Sequence, residues 1–212
     1  MTVSAALPAG AKPSAAVLNV TATNAAAAGY LTAYACDTDR PLASNLNPAP
    51  GQDVAAHVVA PVGADGKVCI FTHDPTDVVV DIMGWYGGKA PDAAGFEHVG
   101  PSRLLDTRSR EGPVVARAPA RVLHVLGTGR IPNTGVTAVV VNVTATNATG
   151  GGFATVYACD DPLPTSSNLN FDRGLDVANL ATVPVRATGA ICLYTNRTTD
   201  LIVDVEGWFG TA

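Results

Sequence analysis

The sequence predicts an all-β protein made of two copies of one module. The hexapeptide Asn19-Val-Thr-Ala-Thr-Asn24 returns as Asn142-Val-Thr-Ala-Thr-Asn147. Residues 19–87 and 142–210 align without a gap at a constant offset of 123, and 35 of the 69 aligned positions are identical. A repeat of this length is a whole domain, because the repeats of solenoid proteins are roughly 20 to 50 residues long. We therefore predict two domains, residues 1–90 and 91–212.

Composition points to the same fold class. The 212 residues include 21 glycines and 15 prolines, and charged residues make up only 15% against 47% hydrophobic residues, a balance that favours turns and short strands over long helices. The net charge of −5 and the absence of a run of Lys or Arg argue against nucleic acid as a partner. No window of 18 residues is uninterruptedly apolar, so we expect no insertion into a membrane.

Two cysteines occupy the same two positions in each copy. Cys36 and Cys69 recur at the offset of 123 as Cys159 and Cys192. Two cysteines per module at this spacing do not suit a zinc site. We therefore predict the disulfides Cys36–Cys69 and Cys159–Cys192, and the alternative is two buried free thiols per module. Disulfides persist in oxidising compartments, so we expect an extracellular or cell-surface location. The first residues lack a secretion signal, and we expect a mature form or a fragment.

The predicted strands follow from the apolar pattern of each copy. The first strand is rich in β-branched residues, which is typical of a buried strand. In the second, Tyr30, Thr32 and Tyr34 alternate with small apolar residues, as in a strand with one exposed face. We expect a sandwich or barrel of about six or seven short strands per module. The strands shared by the copies are 15–23 and 138–146, 29–36 and 152–159, 53–62 and 176–185, 66–72 and 189–195, and 76–87 and 199–210, and one more lies at 121–126.

Two loops between these strands are rich in polar side chains. Asp37–Pro41 is acidic, and its aspartates could bind calcium. The glycine and the closing glutamate of a calcium loop are missing, so we predict a turn held by Asx hydrogen bonds and keep calcium binding as the alternative. Ser44–Asn47 and its counterpart Ser167–Asn170 alternate amides around one leucine. Such amides either anchor the backbone or contact a polar ligand.

The last strand of each copy places a carboxylate, Asp81 or Asp204, within an apolar run. A charge in that position is costly unless it is paired or hydrogen-bonded. Arg103 and Arg108 lie in the segment between the aligned blocks, and we predict a structural ion pair or hydrogen-bond network from this segment to Asp204. The alternative is a carboxylate that serves acid–base chemistry.

Several motifs of the chain together resemble a known repeat module. They are Ser-Arg-Leu-Leu-Asp-Thr-Arg at 102–108, Val-Val-Val-Asn-Val-Thr-Ala-Thr at 139–146, Ser-Asn-Leu-Asn at 167–170 and Val-Asp-Val-Glu-Gly-Trp-Phe at 203–209. In this order they resemble a tandem repeat module of secreted actinobacterial proteins, which also occurs appended to extracellular hydrolases. The resemblance implies an extracellular accessory domain without established catalytic residues. The first copy has no Leu-Leu-Asp-Thr-Arg segment of its own; either its N-terminus is shortened or the segment at 102–108 also completes it.

The sequence shows no recognisable catalytic constellation. It has no Gly-x-Ser-x-Gly elbow, no His-Glu-x-x-His and no phosphate-binding Gly-Lys-Ser/Thr, and none of its four histidines recurs at the same position in the other copy. We predict that the protein is not an enzyme and uses no cofactor or metal. A hydrolase remains the least favoured alternative.

A binding module is the preferred functional hypothesis. Exposed aromatic rings suit sugar rings because each offers a flat apolar face, and duplication of a weak site adds avidity. We predict a non-catalytic extracellular module for cell-wall or other polysaccharide; the alternative is a structural spacer or a module for adhesion to another protein domain. The candidate ligand-binding residues are Tyr30, Tyr34, Asn45, Asn47 and Trp85 in the first copy and Phe153, Tyr157, Asn168, Asn170 and Trp208 in the second.

Overall fold

The chain forms two all-β units with one disulfide each, which confirms the predicted fold class. The computed structural model describes residues 1–8, 11–42, 44–87, 94–109 and 112–210. It divides into compact units at Met1–Ala90 and Pro91–Ala212. Among the described residues the only helix is a single 3-10 turn at Ser4–Ala6. No helix in this part of the chain is long and apolar enough to cross a membrane.

The first unit contains two antiparallel sheets. A three-stranded sheet has the order β3-β1-β5, and β2 pairs with β4 in a two-stranded sheet. The strands are β1 Pro13–Thr23, β2 Leu31–Ala35, β3 Val54–Pro61, β4 Val68–Thr72 and β5 Asp77–Gly87.

The second unit repeats this arrangement and adds strands to both sheets. Its sheets have the orders β11-β8-β13-β6 and β10-β9-β12-β7. At the offset of 123, β8, β9, β11, β12 and β13 correspond to β1 to β5, whereas β6, β7 and β10 have no counterpart among the described strands of the first unit. The first unit therefore has five described strands and the second has eight, where we expected six or seven in each. The strands are β6 Gly95–Asp106, β7 Arg121–His124, β8 Val136–Thr146, β9 Gly152–Ala158, β10 Leu169–Phe171, β11 Val177–Pro184, β12 Ala190–Thr195 and β13 Asp200–Gly210.

Each unit is a sandwich because its core draws side chains from both sheets. In the first unit, Leu18 and Val20 of β1 meet Leu31 of β2 and Val68 of β4 in one buried cluster. In the second unit the corresponding cluster is larger and extends to Leu105 of β6. Full burial of one leucine or valine side chain contributes about 1.5 to 3 kcal/mol, so we expect the unit with the larger cluster to be the more stable one.

The repeated hexapeptide forms the end of the central strand and the turn that follows it. Asn24 and Asn147 adopt positive φ angles of 53° and 54°, a conformation that asparagine tolerates better than most residues. Their side-chain amides donate hydrogen bonds of 2.9 and 3.0 Å to Asp77 and Asp200, the first residues of β5 and β13. The hexapeptide is therefore repeated for a structural reason, since it ends one strand and fixes the start of its neighbour.

The disulfides connect equivalent strands in the two units. Cys36, directly after β2, pairs with Cys69 of β4, and Cys159, directly after β9, pairs with Cys192 of β12. Both bridges close loops with a sequence separation of 33 residues. The predicted pairing is confirmed, and the alternative of free thiols is excluded because no free cysteine is present.

Candidate ligand-binding face

The smaller sheet of the first unit presents aromatic side chains on its outer face. Leu31 and Ala35 of β2 point into the core, so Tyr30 and Tyr34 lie on the opposite side. Across the strand pair, Phe71 of β4 lies opposite Thr32 and joins them on this side. The rings of Tyr30 and Phe71 have centroids 5.7 Å apart and planes inclined by 46°. All three aromatic residues are half-buried, which leaves part of each side chain open to solvent. Thr32, which we expected on the exposed side, is only 1% exposed, so this face is open at the rings and covered between them.

The second unit carries the same arrangement at the offset of 123. Phe153 and Tyr194 replace Tyr30 and Phe71, with ring centroids 6.3 Å apart and the same 46° inclination. Tyr157 takes the place of Tyr34, and it lies opposite Cys192 as Tyr34 lies opposite Cys69. We call Tyr30, Tyr34 and Phe71, and likewise Phe153, Tyr157 and Tyr194, the aromatic face of each unit.

Each ring pair contains one tyrosine and one phenylalanine, but in reversed positions. The hydroxyl group belongs to Tyr30 before β2 in the first unit and to Tyr194 of β12 in the second. The feature common to both units is thus two inclined aromatic rings and not one particular hydroxyl group. Such a surface suits a ligand that is held by apolar contact with ring faces.

The polar surroundings of the two aromatic faces differ. In the first unit the guanidinium carbon of Arg40 lies 3.8 Å from the centroid of the Phe71 ring, a cation–π geometry. Leu163 occupies the position of Arg40 in the second unit and is exposed. The ring pair Phe153–Tyr194 is therefore the less obstructed of the two. One of its polar neighbours is Asn196, whose Oδ1 accepts a 2.7 Å hydrogen bond from the Phe153 N–H.

Two of the predicted amides bond to the backbone. Asn45 Oδ1 accepts a 2.8 Å hydrogen bond from the Ala33 N–H, and Asn168 Oδ1 accepts a 2.7 Å hydrogen bond from the Val156 N–H. These contacts tie the loop after the disulfide onto β2 and β9. Asn47 is exposed, whereas Asn170 is half-buried on β10 opposite Phe153. Of the four amides, Asn170 is the one that its strand pairing brings next to an aromatic face.

The two predicted tryptophans lie in the other sheet, on β5 and β13, and their environments differ. The Trp85 side chain is 43% exposed, whereas Trp208 is 7% exposed and belongs to the core of the second unit. The two tryptophans therefore do not form a repeated exposed platform, and neither joins the aromatic face.

No family model, curated protein or solved structure matches this chain.

Sequence reasoning missed two members of the aromatic face, Phe71 and Tyr194. A signal for them was present, because each stands two residues after the second cysteine of its copy and therefore lies on the same side of the strand as that cysteine. The register that brings Phe71 near Tyr30 depends on how β2 and β4 pair, and the pattern of one strand does not reveal it.

An ion-pair network covers the carboxylate of Asp204 in the second unit. Arg103 of β6 donates from Nε to Asp204 Oδ1 at 2.5 Å and from Nη1 to Asp106 Oδ2 at 2.9 Å. Arg108 donates to both oxygens of Asp106, at 2.9 and 2.7 Å. These bonds, that of Arg108 foremost, lower the pKa of Asp106 to about 2. The hydrogen bond to Asp204 raises the pKa of Arg103.

The equivalent carboxylate of the first unit has different surroundings. Burial raises the pKa of Asp81, and within the described residues no side chain is hydrogen-bonded to it. No group of three or more His, Cys, Asp or Glu side chains in the same part of the chain is arranged to hold a metal ion. The expectations of no catalysis and no cofactor stay predictions.

Proposed function

We propose that this protein is a non-catalytic extracellular module that binds polysaccharide, such as a cell-wall glycan, on the two aromatic faces. The observation that carries the proposal is the recurrence of the inclined ring pair, Tyr30–Phe71 and Phe153–Tyr194, on the outer face of the same sheet in both units. Packing of a sandwich core does not require aromatic rings on the outer face of its sheets. Two aligned copies of a half-exposed pair are readily explained by a common ligand.

Extended polysaccharides suit this arrangement because they offer many equivalent sugar rings. A single aromatic contact with a ligand is weak, on the order of 1 kcal/mol. When two faces on one chain bind the same polymer, the overall affinity rises by about 10² to 10⁴ without a further contact. The disulfides and the resemblance to a module of secreted actinobacterial proteins support an extracellular setting.

The proposal is tested by retention of the purified chain on insoluble bacterial cell wall, cellulose, chitin and xylan. The informative variants are Tyr30→Ala in the first aromatic face, Tyr194→Ala in the second, and their combination. We expect retention of the wild type on at least one matrix, about tenfold weaker retention of each single variant, and none for the double variant. Tyr194→Ala should have the larger effect, because Leu163 replaces Arg40 beside that ring pair.

Leu175→Ala is the matched control, since this leucine is exposed in the second unit but belongs to neither aromatic face. Circular dichroism and thermal melts establish that each variant is folded. Absence of retention on every matrix, or full retention of the folded double variant, contradicts the proposal. In that case the structural spacer or protein-interaction module becomes the preferred function.

A further inference from the structure

The outer edge of β5 has no neighbouring strand in the part of the chain that the structure describes. β5 is the last strand in the order β3-β1-β5, and no described strand pairs with its other side. In the second unit the same edge of β13 is covered by β6, which pairs antiparallel with it from Ile202 to Gly210. An uncovered strand edge presents a row of free N–H and C=O groups, which form a template for another strand.

Side chains of β5 are exposed where their equivalents in β13 are buried. Val79 is 50% exposed and Trp85 is 43% exposed, whereas Ile202 and Trp208 are 8% and 7% exposed. The sequence of β5 has kept the apolar character of β13 although these positions meet solvent. Val79 pairs with Thr21 on one face of the sheet and Trp85 with Ala16 on the other, so a strand added at this edge would bury apolar area on both faces.

A glycine in β5 also leaves room for an approaching strand. At Gly207 of β13 a β-carbon would lie 2.5 Å from the Phe96 ring and 2.6 Å from the Glu97 carbonyl oxygen of β6, so only glycine allows β6 to pass. The equivalent Gly84 of β5 has no atom within 4 Å of that position. The first unit thus retains the small residue that β6 requires, with the space beside it open.

The equivalent carboxylates of β13 and β5 also differ in their charged partners. Asp204 is neutralised by Arg103, which lies opposite it on β6. Asp81 occupies the same position of β5, and no side chain of the described residues forms an ion pair with it. A half-buried carboxylate without a partner is unfavourable, and an arginine brought by a docking strand would remove that cost.

We infer that the outer edge of β5 is a docking site for one extended segment, different from β6 itself, that has the residue pattern of β6. Transfer of the β6–β13 register by the offset of 123 places an arginine opposite Asp81 and a leucine opposite Val80. A threonine after the leucine pair reaches Asp77, as Thr107 Oγ1 donates a 2.8 Å hydrogen bond to Asp200. The main chain supplies affinity by strand addition, and these three side chains supply specificity.

A second copy of this chain is the less suitable donor. Its β6 is already paired with its own β13 over most of its length, and Leu105 is buried in its own core. Release of that strand would expose the second unit's core. The occupant is therefore a free Arg-Leu-Leu-Asp-Thr-like segment other than residues 103–107 of a folded copy of this chain.

The test uses the full chain and a synthetic peptide with the sequence of residues 94–109. Of the two tryptophans, the exposed one, Trp85, lies on the docking edge. We expect one peptide to bind per chain by calorimetry, with a shift of the Trp85 emission to shorter wavelength. A Trp85→Phe chain should bind the peptide but lose this spectral change.

Matched variants locate the site. Val79→Lys on β5 should weaken binding about tenfold or more. Val59→Lys on β3 is the control and should leave binding unchanged, because Val59 is 51% exposed and Val79 is 50% exposed. A peptide with Arg103→Glu should bind about tenfold more weakly, and an Asp81→Lys chain should restore its binding by reversal of the charge pair.

Several outcomes overturn the inference. These are no binding of the peptide to a folded chain, equal effects of Val79→Lys and Val59→Lys, and absence of rescue by the reversed charge pair. A wild-type dimer in sedimentation that Val79→Lys dissociates would identify a second copy as the occupant instead. The test shares no variant with the polysaccharide experiment, and the docking edge lies in the other sheet from the aromatic face, so each proposal can fail alone.

Discussion

The two units share half of their aligned residues, but they bury those residues to very different extents. Trp208 is part of a closed core in the second unit, whereas its equivalent Trp85 is open to solvent in the first. The carboxylate of Asp204 is paired with Arg103, whereas that of Asp81 has no such partner among the described residues. These differences arise at positions where the residues themselves are identical.

The comparison shows that segments outside the aligned block decide how a shared sequence is buried. β6 covers the edge of β13, and β7 pairs with β12, which widens both sheets of the second unit. An identical tryptophan is therefore a core residue in one copy and a surface residue in the other. The predictions that follow use the copies as controls for each other.

The largest expected contrast is between the two tryptophans. Trp208→Ala should destabilise the second unit by about 3 to 5 kcal/mol, because it leaves a cavity in a closed core. Trp85→Ala should cost the first unit about 1 kcal/mol or less, because its ring is already in contact with water. Denaturant unfolding followed by circular dichroism measures both values. Equal losses would mean that the two cores are equally closed.

The disulfides give a contrast between equal covalent constraints and unequal cores. Each closes a loop of the same length, and removal should cost each unit about 3 to 4 kcal/mol on the chain-entropy model. The first unit has the smaller cluster of buried residues, so Cys36→Ala/Cys69→Ala should unfold it while Cys159→Ala/Cys192→Ala leaves the second unit folded at 25 °C. Amide resonances in a two-dimensional NMR spectrum report on each unit separately. Loss of the second unit alone would mean that the first unit is the more stable one.

A smaller effect is expected at the ion pairs. Arg103→Ala should lower the stability of the second unit by about 1 kcal/mol or less, since the arginine side chain is 47% exposed and solvent weakens the pair. Asp81→Asn should raise the stability of the first unit, because it removes a half-buried charge. Lys67→Ala, which breaks an exposed ion pair with Asp65, is the control and should change nothing measurable. No change of melting temperature in either Arg103→Ala or Arg108→Ala would refute the structural role of the network.

The smallest effects are opposite dependences on pH. The pKa of Asp106 is lowered from 3.8 to about 2, so its stabilising contribution is present above pH 3.8 and is lost as the pH falls toward 2. The pKa of Asp81 is raised by burial, so its cost appears as the pH rises above 3.8. Between pH 5 and 3 the second unit should lose stability while the first unit gains. Thermal melts of Asp106→Asn and Asp81→Asn chains should each lack one trend, and parallel trends in the two units would contradict the assignment.

The features that recur in both copies were predictable from the sequence. The all-β fold and the disulfide pairing followed from the repeated strands and cysteines. The 3-10 turn and the strands β6 and β10 were not predicted. The turn and β10 are short, and β6 contains a glycine and a proline in its interior and lacks a regular apolar alternation. The exposure of Trp85 could not be predicted from the sequence either, since it depends on whether another strand covers β5 and not on the residues of β5.

The aromatic face was predictable only in part. Tyr30, Tyr34, Phe153 and Tyr157 stand in an alternating strand pattern, which marks one side as exposed. Phe71 and Tyr194 join them through the antiparallel register of neighbouring strands, and that register is a property of the sheet. For Asn45 and Asn168 the type of side chain suited ligand and backbone equally, and only the geometry shows their bonds to the backbone.

Each disulfide also sets how far its unit can be stretched when force is applied to the chain ends. A chain that is pulled at its ends can extend only the residues outside the closed loop. With 33 residues held back in each unit and about 3.3 to 3.6 Å per extended residue, reduction would release roughly 110 Å of additional length from each. Two equal increments in a force–extension trace would therefore report the redox state of the chain, one unit at a time.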